Sequence, residues 1–391
     1  MTSETIDARE RAAEPDPGAG RHIETVIVGA GQAGLATSYH LARRGREHVV
    51  LDAGSRVGDG WRRRWPSLRL YSAARMDGLP GMRFPAPGHT FPSSCEMGDF
   101  LEAYAARFGL PVESGVAVDA LERRNGGYLV MAGTRRWEAG NVVIATGAFR
   151  DPRVPSFAAD LDPAIRQLHS STYRGPEQLR DGAVLVVGAA HSGADIAHEV
   201  AATHPTILSG PSTGELPFRC DGPVARHLMP PVLRIVATRV LTVKTPMGRK
   251  ARTKVRKGGG PLLRYRSPEL RAAGVERVLG HTTGVLAGKP ILEDGRRVDV
   301  ANVIWCTGFH NGYDWVRCGL VFGDDGYPEQ ERGAAKGCPG LFFAGLRFQH
   351  SFGSMLVVGA GRDGGRVARQ IAVRGAGRRQ AGPPPRRFPR S

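Results

Sequence analysis

The chain has 391 residues, 41% of them hydrophobic, and carries 48 arginines and 6 lysines against 37 acids, for a formal net charge of +17. That length accommodates two or three domains with cores of their own, and the arginines are spread along the chain where a nucleic-acid interface would cluster them among aromatic residues. Five cysteines, Cys95, Cys220, Cys306, Cys318 and Cys338, include no Cys-x-x-Cys pair, so a disulfide framework and a dithiol redox centre are not expected, nor is a metal site.

No run of about 18 uncharged apolar residues exists, because Arg234 and Arg239 interrupt the best stretch, 228–243. The first residues lack the basic start and apolar core of a signal peptide. A soluble, cytoplasmic protein is expected, with no membrane span and no nucleic-acid partner. Residues 1–22, rich in Glu, Asp, Ala, Pro and Gly, read as a disordered tail.

The first structured stretch reads Thr25-Val-Ile-Val-Gly29-Ala30-Gly31-Gln32-Ala33-Gly34, then an apolar-periodic run, then Val49-Val-Leu-Asp52. Strand, glycine turn, helix, strand and acid follow in that order. A dinucleotide site needs the first glycine for a tight turn, the second so that backbone N–H groups approach a pyrophosphate, and the third so that helix and strand pack closely. Asp52, 21 residues after Gly31, stands where an acid accepts the ribose hydroxyls.

Gly58-Asp-Gly60-Trp61 and the stretch up to Ser72 come next, with glycines that let backbone approach a flavin ring and Trp61 to cover its apolar surface. A proline-rich loop over 80–92 precedes a helix over 97–108, with Phe100, Leu101, Tyr104 and Phe108 at helical spacing. Strands are expected at 116–121, 128–131 and 141–147, the last ending at a ligand with Ala145, Thr146 and Gly147. Pro152 and Pro155 then mark a crossing between domains.

There the pattern restarts. Ala183-Val-Leu-Val-Val187-Gly188-Ala189-Ala190-His191-Ser192-Gly193 repeats the opening unit at an offset of 159 residues, and 296–308 repeats 135–147 at an offset of 161, with six identities in thirteen positions. Two matches at nearly one offset indicate a duplicated domain and a second nucleotide site. Ala190 replaces the middle glycine there, and counting places Pro211 where Asp52 stands in the first copy. With neither an acid nor an arginine at that position, Ser209, Ser212, Thr213 and Arg219 are the groups able to meet a 2′-phosphate, and NADPH is favoured over NADH. Thr307 and Gly308 close the second unit as Thr146 and Gly147 close the first. Leu341 to Leu346 reads as a buried strand ending near Gly345, followed by a glycine-rich approach to a last helix and an Arg-, Gly- and Pro-rich tail.

These motifs resemble the flavin-containing (class B) monooxygenases, particularly the bacterial single-component group close to the plant YUCCA-like enzymes. The resemblance spans residues 23–373 and is carried by the two glycine fingerprints, the Gly-Asp-Gly-Trp61 loop, Ala145-Thr146-Gly147, the Phe157 … His169-Ser-Ser-Thr-Tyr173 segment and Cys306-Thr307-Gly308-Phe309. Ala159 stands where the family linker has glycine, and Tyr173 where the Baeyer–Villiger subgroup has tryptophan. The resemblance implies an α/β fold of two Rossmann-like domains: an FAD domain at 23–160 and 295–374, an NAD(P)H domain at 161–294 with an insertion at 222–265, and a disordered basic tail at 375–391. It also implies reduction of FAD by NAD(P)H and transfer of one oxygen atom from dioxygen to a small organic substrate through a 4a-(hydro)peroxyflavin. His169 and His350 are the candidate catalytic side chains: His169 as a domain hinge, a nicotinamide-orienting group or an interface histidine, and His350 beside the flavin. The insertion reads as a lid or as a packed helix pair with a basic face. The alternative function is a reductase passing electrons to a partner protein or quinone.

Overall fold

The computed structural model describes residues 21–124, 126–223, 226 and 229–380. Two parallel sheets dominate. The first is built from β1 (Arg21–Val28), β2 (His48–Asp52), β3 (Val112–Ser114) and β6 (Arg135–Ile144), completed by β14 (Leu341–Phe343), in the order β3-β2-β1-β6-β14. The long β6 pairs with β1 along one edge and serves two partners along the other: its last residues pair with β14, while its first half joins the antiparallel meander of β4 (Ala120–Arg124) and β5 (Gly127–Ala132). Alternate residues feed two cores. Ile27, Val50 and Val143 pack under α1 (Gln32–Ala42), α2 (Ser94–Arg107) and α5 (Val357–Gln380), while Val26, Val49 and Val142 pack under the meander. A capping box from Ser93 and Glu96 starts α2 three residues before the expected helix.

The second sheet repeats the plan, with β7 (Arg166–His169), β8 (Val184–Val187), β9 (Thr206–Ser209), β10 (Glu276–Val278) and β13 (Asn302–Trp305) in the order β10-β9-β8-β13-β7, all parallel. Helix α3 (His191–Val200) covers one face, and the hairpin of β11 (Thr282–Leu286) and β12 (Lys289–Leu292) contributes to the core on the other.

Pairing corrects three expected boundaries. β13 belongs to the second sheet and Val298 and Val300 to its core, so the chain returns to the first domain after residue 306 and not at 295. Ala158 packs in that core too, so the outward crossing is the stretch marked by Pro152 and Pro155 and the first domain's bound lies before 156 and not at 160. Residues 116–119, expected as strand, are irregular although Val116 and Val118 are buried. The expected tails largely lie outside the described residues, but Arg21 and His22 open β1 and residues 375–380 continue α5. Among the described residues, no helix is long and apolar enough to cross a membrane.

Candidate functional site

The first fingerprint separates three glycine roles. A Cβ on Gly29, whose φ is +108°, would lie 2.5 Å from the Ala145 carbonyl oxygen, and one on Gly34 would lie 1.9 Å from that of Gly29. Both glycines hold β1, α1 and β6 together. A Cβ on Gly31 would meet nothing within 4 Å. Gly31 caps α1 with no side-chain partner for the first-turn N–H groups, so an open seat lies in front of unpaired donors, as a pyrophosphate requires. Asp52 ends β2, accepting from the N–H of Ala30 at 2.6 Å and of Gly54 at 2.8 Å. Trp61, with Gly60 in the one-turn helix Asp59–Arg62, donates from its indole nitrogen to Gln32 at 3.2 Å. Gly345 closes on Ala33, 2.9 Å from its Cβ to an added Cβ, and joins Thr146, Gly147 and Arg347 around a cleft at the carboxyl ends of β6 and β14. These residues fit FAD.

The second cradle reproduces the first. A Cβ on Gly188 would lie 2.4 Å from the Cys306 carbonyl oxygen and one on Gly193 1.8 Å from that of Gly188. Ala190 caps α3 with φ −83° and ψ −177°, beside −75° and −178° for Gly31, so its methyl occupies the corresponding position without backbone strain. The register corrects the counting. Gly29 donates to Leu51 and Gly188 to Ser209, so the position equivalent to Asp52 is Gly210 and not Pro211. The connection to β9 is one residue shorter than its counterpart.

Two of the expected 2′-phosphate groups are engaged elsewhere. Ser209 is buried and bonded to Thr282 at 2.8 Å, and Arg219 forms a two-pronged pair with Asp221 at 3.0 Å. Arg277, which the sequence reading missed, stands beside Gly210, the position equivalent to Asp52. From β10 its guanidinium donates to the carbonyls of Leu208 at 3.0 Å and Gly210 at 2.6 Å, and also to that of Val278. Nothing local marks Arg277 in the sequence; parallel pairing of β9 with β10 brings it there.

The cradles face each other across residues 61–72. Trp61 packs against the cores of both domains, and the Tyr71 ring meets His191 edge-on at 5.2 Å. The Tyr71 hydroxyl donates to Asp195 of α3 at 2.8 Å, while buried Arg264 lies 3.6 Å from Asp195 and donates to the carbonyls of Arg69 and Leu70 at 3.2 Å. Burial pushes the Asp195 carboxyl up to about 6 against the pull of Arg264. Ser72 donates to Asp77 at 2.5 Å; burial raises that carboxyl to about 7, and its second oxygen has no hydrogen-bond partner. Phe149, on the crossing, lies under Arg64 at 4.6 Å and Arg347 at 5.9 Å, two cations with no acidic partner among the described residues.

The two crossings pair with each other: Phe309 opposite Pro152 and His310 opposite Asp151. His169 belongs to this hinge. Its Nε2 bonds the Gly308 carbonyl at 3.0 Å and its Nδ1 the Ser171 hydroxyl at 2.9 Å, with Phe309 edge-on at 5.0 Å. Burial lowers its pKa, keeping the ring neutral, and both nitrogens are occupied. Thr307 likewise donates its hydroxyl to the Arg153 carbonyl, so Thr307 and Gly308 serve the hinge. His350 lies against the insertion, its carbonyl accepting from Val243 at 3.0 Å and its N–H donating to Ser354 at 3.1 Å. Burial and the Arg366 charge depress its imidazole to about 4. It does not line the cleft.

Residues 26–209 match the pyridine nucleotide-disulphide oxidoreductase family. An uncharacterized CzcO-like oxidoreductase of Geobacillus kaustophilus is 32% identical over 342 residues, covering 87% of this chain and 96% of that one. The indole-3-pyruvate monooxygenase YUCCA1 of Oryza sativa is 38% identical over 200 residues, 48% of this chain and 46% of that one. A solved flavin-containing monooxygenase from Stenotrophomonas maltophilia superposes with a TM-score of 0.70 at 25% identity over 90% of this chain and 99% of that one. With a duplicated dinucleotide fold, two glycine cradles and these relatives, the chain belongs to the family of the CzcO-like oxidoreductases and is similar to flavin-containing monooxygenases.

Proposed function

We propose that the protein uses NADPH and dioxygen to place one oxygen atom on a small organic substrate, a soft nucleophile or a carbonyl carbon, at bound FAD. The observation that carries this reading is the contact of the two cradles across residues 61–72, where Trp61 packs in both domains and Tyr71 touches both His191 and Asp195. FAD held there supplies hydride acceptance from the nicotinamide and activation of dioxygen.

The chain supplies position and enclosure. N–H groups of α1 and α3 hold the two pyrophosphates, Asp52 stands at the ribose of FAD, and Arg277 beside Gly210 favours a 2′-phosphate where a carboxylate would repel one. The hinge of His169, Gly308 and Arg153 fixes one domain against the other. The insertion reaches the cleft: an added Cβ on Gly260 would lie 3.0 Å from the His191 ring, and one on Gly258 would lie 3.8 Å from Arg347. A chain running so close helps exclude water from the site.

The test is flavin reduction by NADPH and NADH side by side without oxygen, followed by air and a panel of thioethers, amines and ketones. One oxygenated product per NADPH, with a long-lived absorbance species between reduced and oxidised flavin, is the expected result. Electrons delivered to a quinone or protein acceptor with no oxygenated product would replace this reading by the reductase.

A further inference from the structure

The insertion between β9 and β10 has a composition of its own: residues 222–268 contain twelve arginines and lysines and no aspartate or glutamate. Some of these cations are already paired, Arg256 with Asp325 and Arg264 with Asp195 and Asp221. Arg234, Arg239, Lys244, Arg249, Lys250 and Lys254 are exposed and have no acidic partner among the described residues.

The same segment turns aliphatic side chains outward. It is docked on the first domain by its inner side, where Ala237 is buried, the Phe352 N–H donates to Leu241 at 2.9 Å, and the Val243 N–H donates to His350 at 3.0 Å. On the outer side of the helix Met229–Ile235, of the following turn 236–240, and of the start of α4 (Pro246–Arg256), Val232, Leu233, Ile235, Val240 and Met247 are between 36% and 62% exposed. These aliphatics and the unpaired cations alternate along fewer than thirty residues.

We propose that this face docks the protein on an anionic phospholipid surface, with the aliphatic side chains entering the acyl boundary and the cations meeting the headgroups. Each half of the pattern needs the other: an interfacial segment combines buried apolar area with attraction for anionic lipid. Nucleic acid fits less well, because residues 229–257 contain no aromatic side chain on which a base would stack. A second copy fits less well too, since it would bring a basic face against a basic face on a chain of net charge +17. Arg256 donates from the insertion to the carbonyl of Arg347, which lines the cleft, so docking would hold the site rim beside the bilayer.

The experiment is co-sedimentation of the full FAD-loaded chain with vesicles of phosphatidylcholine alone or mixed with phosphatidylglycerol, over a salt series, with flavin absorbance reporting intact protein. Binding is expected to the mixed vesicles only, to weaken with salt, and to fall about five-fold for each of Arg239→Gln, Lys244→Gln and Lys250→Gln. The double variant Leu233→Ser, Ile235→Ser should lose about ten-fold while keeping its flavin. Three results would overturn the proposal: no sedimentation with mixed vesicles, binding unchanged in the serine variant so that only general adsorption of a basic chain remains, or a concentration-dependent dimer abolished by the same serine changes. The proposal stands or falls independently of the oxygenase reading, which none of these measurements touches.

Discussion

Replacing Gly31 by alanine separates folding from cofactor binding, because the three fingerprint glycines fail in different ways. At Gly31 the backbone is in an ordinary extended conformation and an added methyl meets nothing within 4 Å. The protein without FAD should therefore be as stable as before, or up to about 1 kcal/mol more stable through the reduced freedom of its unfolded chain. The methyl fills the seat of the pyrophosphate. Displacing one hydrogen bond to a charged phosphate oxygen costs about 1.5–3 kcal/mol, which corresponds to a loss of about 10- to 100-fold in FAD affinity. Gly34→Ala must instead relieve a 1.9 Å approach to the Gly29 carbonyl, and Gly29→Ala a 2.5 Å approach at φ +108°, so both should unfold more easily with or without FAD. Thermal unfolding of the apoproteins and FAD titration by calorimetry measure the two effects apart. A Gly31→Ala protein that binds FAD with unchanged affinity would refute the assignment of the seat, and one destabilised as much as Gly34→Ala would refute the geometry behind it.

Arg277→Ala should lower the preference for NADPH over NADH by about ten-fold or more, leaving NADH-driven flavin reduction nearly unchanged, as hydrogen bonds to a charged group are worth about 1.5–3 kcal/mol; an unchanged preference would remove Arg277 from the 2′-phosphate. His350, depressed to about 4 in the fold against an ordinary value of about 6.5, favours the unfolded state once protons compete for it, so stability should be lost as pH falls from about 6.5 toward 4. His350→Gln should flatten that acid limb in a series of melting curves, and an unaltered limb would show that the imidazole is not desolvated. Cys95 is exposed, whereas burial pushes the thiols of Cys220, Cys306 and Cys318 up to about 12, so a thiol reagent should modify one cysteine quickly in the native protein and the rest only on unfolding.

The cradles were legible because the demands on their glycines are local. A tight turn, a close approach and a helix packed on a strand all fall within six residues, and the second copy at an offset of 159 states the same demands again. Counting failed one step farther on. It assumed equal connections in both copies, and the single-residue difference that moves the Asp52 equivalent to Gly210 emerges only from the bonds of Gly29 to Leu51 and Gly188 to Ser209. The direction of a side chain was equally invisible: Ser209 has the chemistry to meet a phosphate, but strand alternation turns it inward to Thr282.

Composition and spacing by themselves determined that the chain makes two nucleotide-binding α/β units, since periodicity and glycine placement are properties of neighbours along the chain. Tertiary structure alone decided which groups stand together between those units. Arg277 is brought to Gly210 by strand pairing, and His169 is assigned to the hinge by the carbonyl it meets 139 residues away. The insertion acquires an inner and an outer side only when one of them rests on the first domain. Those outcomes depend on contacts between distant residues, which the local rules of strand, turn and helix leave open.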